Sequence, residues 1–267
     1  MIRKNAVAGQ FYPHNPNKLK IMIESFIEKE TSKIDAKGII MPHAGYIYSG
    51  KVATVTVEKI RPKKRVIILG PNHMGTGETF SMFSRGEWEI PSGRIKIDEE
   101  LAQAILNHSD LIKEDVSAHI YEHSIEVELP ILHYFFKDFK FLPIVCSLSS
   151  LETYRKVAHH IFKTIKNIKD DILIIASSDM THYEEDYRAR KKDSYAIESI
   201  VKLNEEELLK RIKEKDISMC GVAPVSILIA CCKLLKAKKA TVTLYRTSGD
   251  ITKDTSSVVG YLGAVIY

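Results

Sequence analysis

Four β-favouring apolar residues, Val66 to Leu69, run without a polar break, stop at Gly70-Pro71, and leave Asn72-His73 on the loop beyond. A strand with one wet face alternates apolar and polar residues. An unbroken run is instead the pattern of a strand covered on both faces, as in a parallel sheet. In open α/β sheets ligands gather at the carboxyl ends of the strands. His73 therefore stands where a functional imidazole is expected.

The same grammar recurs. Gly38-Ile-Ile-Met41 is followed by Pro42-His43-Ala-Gly-Tyr46, and Asp171-Ile-Leu-Ile-Ile-Ala-Ser-Ser-Asp179 by Met180-Thr-His182. Three strands that deliver His43, His73 and the Asp179/His182 pair to one sheet edge would make a site. The elements between them alternate strand and helix: a helix capped at Asn17, one over Gly50 to Lys59, one begun by Asp98, and one over Leu151 to Ile165. Tyr121 to Leu132 reads as a further helix, bent or restarted at Pro130, with His123, Glu126 and Pro130 on neighbouring turns. After helices over Tyr187 to Leu203 and Glu205 to Lys213, Ser218-Met-Cys220-Gly-Val-Ala-Pro224 leads into an apolar helix, Val225 to Leu235. Two strands, Ala240 to Tyr245 and Ser257 to Tyr267, close the chain. With 45% hydrophobic residues in 267 and no linker-like break, the expectation is one three-layer α/β domain over residues 1–267, with a mixed, largely parallel central sheet.

Composition excludes several functions. The net charge of +5 is spread over 39 basic and 34 acidic residues, and the basic runs lie at element ends, so no nucleic-acid partner is expected. No apolar run is long enough to span a bilayer and the N-terminus has no apolar signal core; no membrane partner is expected and a cytoplasmic protein is. Cys146, Cys220, Cys231 and Cys232 form no CxxC pair, which argues against structural zinc and a stapled secreted fold. Scarce Gln beside abundant Lys, Glu and Ile leans towards a thermophilic source. No phosphate-binding glycine motif follows a strand, and Ser177 and Ser178 lack the GxSxG setting of a serine hydrolase.

Neutral imidazole is a common ligand for iron, zinc and copper, so His43 and His73 are candidate metal ligands. Asp179 and His182 could complete the shell or act as acid and base beside it. His123, with Glu126, could line the same pocket. Cys220 precedes a helix whose N-terminus would lower a thiol pKa and favour the thiolate, the form that binds soft metals. Each has a plainer reading too: a satisfied loop imidazole, a capping carboxylate, a half-buried thiol.

At these residues the chain resembles the Memo family, which is similar in fold to class III (LigB-type) extradiol dioxygenases. The matching motifs are Ala8-Gly-Gln-Phe-Tyr-Pro13, Pro42-His-Ala-Gly-Tyr46, Leu69-Gly-Pro-Asn-His73, Glu122-His-Ser-Ile-Glu126, Ser177-Ser-Asp-Met-Thr-His182, Met219-Cys-Gly221 and Ser257-Val-Val-Gly-Tyr261. The resemblance implies that His43 and His73 correspond to the dioxygenases' two iron-ligand histidines, with Cys220 where those enzymes have a glutamate. His182 resembles their base, with Asp179 beside it and His123 in the pocket wall. A His₂Cys set is softer than His₂-carboxylate, so a divalent or cuprous ion is expected, iron or copper before zinc. The resemblance implies either an altered or vestigial oxidoreductase site or a non-catalytic module binding a small or phosphorylated ligand, as some relatives are described to do.

Overall fold

Why the three apolar runs become the middle of a sheet is visible in the computed structural model, which describes residues 1–29, 32–166, 168 and 171–267. In its first half the chain forms β1 (Ile2–Arg3), α1 (Pro16–Phe26), β2 (Gly38–Met41), α2 (Tyr46–Glu58), β3 (Arg65–Pro71), β4 (Phe80–Met82), β5 (Glu87–Ile90) and β6 (Gly93–Ile97). Then come α3 (Glu99–His108), β7 (Ile112–Glu114), α4 (Leu129–Phe136), β8 (Lys140–Cys146), α5 (Leu151–Ile165), β9 (Ile172–Ser177) and β10 (Asp179–Glu184). The last third holds α6 (Asp186–Val201), α7 (Glu205–Glu214), α8 (Val222–Leu234), β11 (Ala240–Thr247), the short α9 (Gly249–Thr252) and β12 (Val258–Ile266).

Strands β8, β3, β9 and β2 lie side by side and parallel. Their interiors are buried on both faces, which is what the unbroken Val, Ile and Leu runs require. Outside this block β12 runs antiparallel to β2 and carries β10 and β11, so the sheet is mixed and largely parallel at its centre. One helical layer contains α5 packed on α8 with α3 and α7 beside them; α8 lies against β2, β3 and β9. The other contains α1, α2 and α4, with α2 against β2, β11 and β12. The hydrophobic core runs through both interfaces, from Tyr12 to Ile266.

The register levels the strand ends. Met41 lies beside Ser177, and both Ile40 and Leu69 lie beside Ala176. His43 and His73 therefore leave the sheet at the same edge, a few residues past their strands.

Several boundaries differ from the sequence reading. Asn15, not Asn17, caps α1: its side chain accepts from the Asn17 and Lys18 N–H groups, and Pro16 takes the first helical position, where its missing N–H costs nothing. Residues 121–125 are not helical. A 3₁₀ turn over Glu126–Glu128 leads into α4, whose first turn holds Pro130. The proline starts a helix rather than bending one, and His123, Glu126 and Pro130 do not share helical turns. Asp179 to Glu184 form β10 instead of a loop, and α8 begins three residues early, at Val222. No helix among the described residues is long and apolar enough to cross a membrane.

Candidate metal centre

His43 is buried at the end of β2 with its ring fixed on the far side from the pocket. Its Nδ1 lies 2.7 Å from Ser177 Oγ, and Ser177 donates its one hydroxyl proton to the Ser124 carbonyl at 2.8 Å. A carbonyl can only accept, so Ser177 must accept from His43. That assigns the proton to Nδ1 and leaves the Nε2 lone pair free. Burial, then the neighbouring His73 and His123, holds the His43 pKa well below its ordinary value, so the ring is neutral.

His73 is held by a carboxylate. Glu122 Oε2 accepts the His73 backbone N–H at 2.7 Å and Oε1 pairs with Nδ1 at 2.9 Å. Again Nδ1 carries the proton and Nε2 is open. Burial lowers the His73 pKa, but the Glu122 hydrogen bond and charge outweigh it and the net shift is upward. Glu122 is buried, which raises its pKa, yet the His73 contact and the Ser124 N–H bring it down to about 2. The β3 loop and the loop of residues 122–125 meet closely because β3 has Gly70 as its last residue but one: a Cβ there would lie 2.6 Å from Ser124 Oγ and 2.7 Å from Ile125 Cγ1.

His123 enters from that second loop. Its ring stacks on His73 with centroids 4.7 Å apart and meets His43 edge-on at 5.5 Å. One ligand nitrogen from each of His43, His73 and His123 lies within 4.8 Å of the others, so the cluster could hold a metal ion. Metal–imidazole bonds of about 2.0–2.1 Å would place tetrahedral nitrogens roughly 3.3 Å apart. Rotations of the side chains by about an ångström at the nitrogen would close the set. With their Nδ1 atoms engaged, His43 and His73 have Nε2 left for a metal, and neutral imidazole ligands suit iron, copper or zinc.

Cys220, Asp179 and His182 stand beside this cluster. Cys220 Sγ lies 3.4 Å from His43 Nε2 and accepts the Asp179 N–H at 3.2 Å, at the margin of the three-histidine set. Gly221 seats it: the Gly221 N–H donates to Ser178 Oγ at 3.0 Å, and a Cβ at 221 would fall 2.3 Å from Ser178 Cβ. The surroundings work against the easily ionised thiol expected from the sequence: burial, then the Asp179 charge, pushes the Cys220 pKa up, although the residue is only half-buried and lines the pocket. Asp179 accepts the His43 backbone N–H at 3.0 Å, and burial raises its pKa to about 6 against that hydrogen bond and the nearby His182. In His182, Nδ1 donates to the Ser218 carbonyl at 2.8 Å. The register of β10 on β12 shifts on both sides of His182, and Tyr183 takes a left-handed φ of 58°. These irregularities turn His182 towards the pocket.

His43, His73, His123, Asp179, His182 and Cys220 line one pocket of about 590 Å³, together with Phe11, Tyr48, Tyr183 and Tyr261. Glu126, expected beside His123 in the pocket wall, does not: it is fully buried, with its carboxylate on Arg3, Tyr12 and the backbone of residues 6 and 7. Glu122 and Ser177, which orient two of the imidazoles, were not singled out for that role. Their only signal is adjacency: Glu122 precedes a pocket histidine and Ser177 ends a site strand.

A mixed α/β sheet with histidines converging at the carboxyl edge defines a class of proteins with a candidate metal centre between strand-end loops. The Memo-like protein family model matches residues 3–265. A MEMO1 family protein of Saccharolobus islandicus is 44% identical over 282 residues, covering 99% of each chain. One from Aquifex aeolicus is 43% identical over 268 residues, covering 99% of this chain and 98% of its own. The chain belongs to the Memo family. A crystal structure of an uncharacterized Escherichia coli K12 protein shares the fold, with a TM-score of 0.54 over 85% of this chain and 98% of that one, at 10% identity.

Proposed function

We propose that this protein binds one redox-capable metal ion, iron or copper, through His43, His73 and His123, in a pocket that is an altered form of an extradiol dioxygenase site. The observation that carries the reading is the convergence of three imidazole nitrogens within 4.8 Å. A metal bound there would supply Lewis acidity and a one-electron couple. The chain's own groups do the rest. Ser177 and Glu122 hold the Nδ1 atoms of His43 and His73 and aim their Nε2 atoms inward. Phe11, Tyr48 and Tyr261 give the pocket aromatic walls that a small ligand could pack against. His182 and Asp179 stand where a proton could be taken from that ligand or returned to it.

The residue beside the three histidines decides how far the site departs from a dioxygenase. Next to His43 Nε2 stands a half-buried thiol, Cys220, rather than a carboxylate. A thiol does not complete the His₂-carboxylate set that suits oxygen activation on ferrous iron. Protein loaded with ferrous iron without oxygen should bind one ion per chain. On exposure to air with catechols it should give no appreciable ring cleavage. Robust cleavage that is lost in His182→Ala would overturn the altered-site reading. Absence of iron and copper binding altogether, with retention of a phosphorylated or other anionic ligand, would favour a non-catalytic binding module.

A further inference from the structure

A histidine that binds a metal ordinarily has its other ring nitrogen hydrogen-bonded, which fixes the ring's direction. His43 has Ser177 and His73 has Glu122 for this purpose. Among the described residues His123 has no such bond: its Nδ1 is 3.6 Å from Glu122 Oε1, outside good hydrogen-bonding range. What flanks the ring instead is Phe11, with centroids 4.8 Å apart and planes inclined by 47°.

Phe11 is itself firmly held. Its carbonyl accepts the Tyr46 N–H at 2.7 Å and its own N–H donates to the Val7 carbonyl at 3.0 Å. The segment that carries it is gripped by Glu126, three residues beyond His123. Glu126 accepts from Arg3 at 2.7 Å, the Ala6 N–H at 2.8 Å, the Val7 N–H at 3.1 Å and the Tyr12 hydroxyl at 2.6 Å. Arg3 adds a hydrogen bond to the Glu122 carbonyl at 2.7 Å and lies 4.0 Å over the Trp88 ring. The turn bearing His123 is thus clamped at Glu126 and pressed at His123 by the same N-terminal segment.

We infer that Phe11 is a positioning residue for His123, supplying by ring packing the orientation that the other two histidines receive from hydrogen bonds. The inference rests on the reading of His123 as a metal ligand. Its test uses cobalt(II), which reports both affinity and ligand geometry through its visible absorption. Phe11 is only partly buried, so Phe11→Ala should fold; apo-protein melting curves check this. Cobalt affinity should fall about tenfold in Phe11→Ala, the scale of losing an orienting partner, with an altered spectrum. Phe11→Trp should restore much of both. On a His123→Ala background, Phe11→Ala should cost nothing further. If Phe11→Ala costs the same with and without His123, the positioning role is overturned while the metal site stands. If His123→Ala binds cobalt as the wild type does, the ligand reading falls, and this inference with it.

Discussion

Glu122 grips His73 twice, at the backbone N–H and at Nδ1, with one carboxylate oxygen on each. The same side chain is buried and also accepts the Ser124 N–H, so it ties the β3 loop to the loop that carries His123. Glu122→Gln keeps the shape but removes the charge. Metal affinity should fall about 10–100-fold, the range for losing an orienting partner. The pH dependence should move as well. In the wild type the raised His73 pKa means that a proton competes with the metal, so affinity climbs as pH rises through that value. Without the carboxylate the climb should shift to lower pH. Competition titrations at several pH values measure both effects, and an unshifted profile would mean that Glu122 does not set His73 basicity.

Acid stability should depend on His119, outside the pocket. The residue is completely buried, its Nε2 donates to the Ser81 carbonyl at 3.0 Å, and its Nδ1 has no partner among the described residues. Burial lowers its pKa from 6.5 to about 4. Between those values the unfolded chain holds a proton that the folded chain does not, so stability falls as pH drops from 6.5 towards 4 and levels off below. The full term is about 3 kcal/mol. Urea unfolding at pH 7 and pH 4.5 should show a smaller acid loss in His119→Gln, which keeps a donor for Ser81. Equal losses in both proteins would contradict this.

Gly221 should tolerate no side chain. A Cβ there would lie 2.4 Å from the Ser177 carbonyl oxygen as well as against Ser178. Gly221→Ala should push the start of α8 off the strand and carry Cys220 away from His43. Destabilisation on the order of 1–3 kcal/mol is expected for overpacking. The thiol of Cys220 should also become more reactive towards alkylating agents. Unchanged thiol reactivity would separate the two positions.

The strand-end histidines were legible because unbroken apolar runs followed by Pro-punctuated turns leave few other placements for His43 and His73. His123 was legible only as a wall residue. Its loop reads as helix from spacing alone, and what makes it irregular is tertiary: Glu126 spends its carboxylate on the N-terminal segment instead of on local turns. Arg3 gave no signal, since an arginine near a terminus is ordinarily solvated, yet here it is buried between Glu126 and Trp88. Cys220 was read by its position before a helix. Desolvation, which depends on what packs around a residue and not on its neighbours in sequence, reversed the expected shift.

Whether His123 or Cys220 supplies the third ligand is decided by ferrous iron titrated anaerobically into wild type, His123→Ala and Cys220→Ala. With His123 as ligand, His123→Ala should lose more affinity than the 10–100-fold scale of an orienting partner, while Cys220→Ala stays within that scale. The reverse order, with His123→Ala near wild type and Cys220→Ala crippled, would contradict that assignment and make the centre His43, His73 and Cys220.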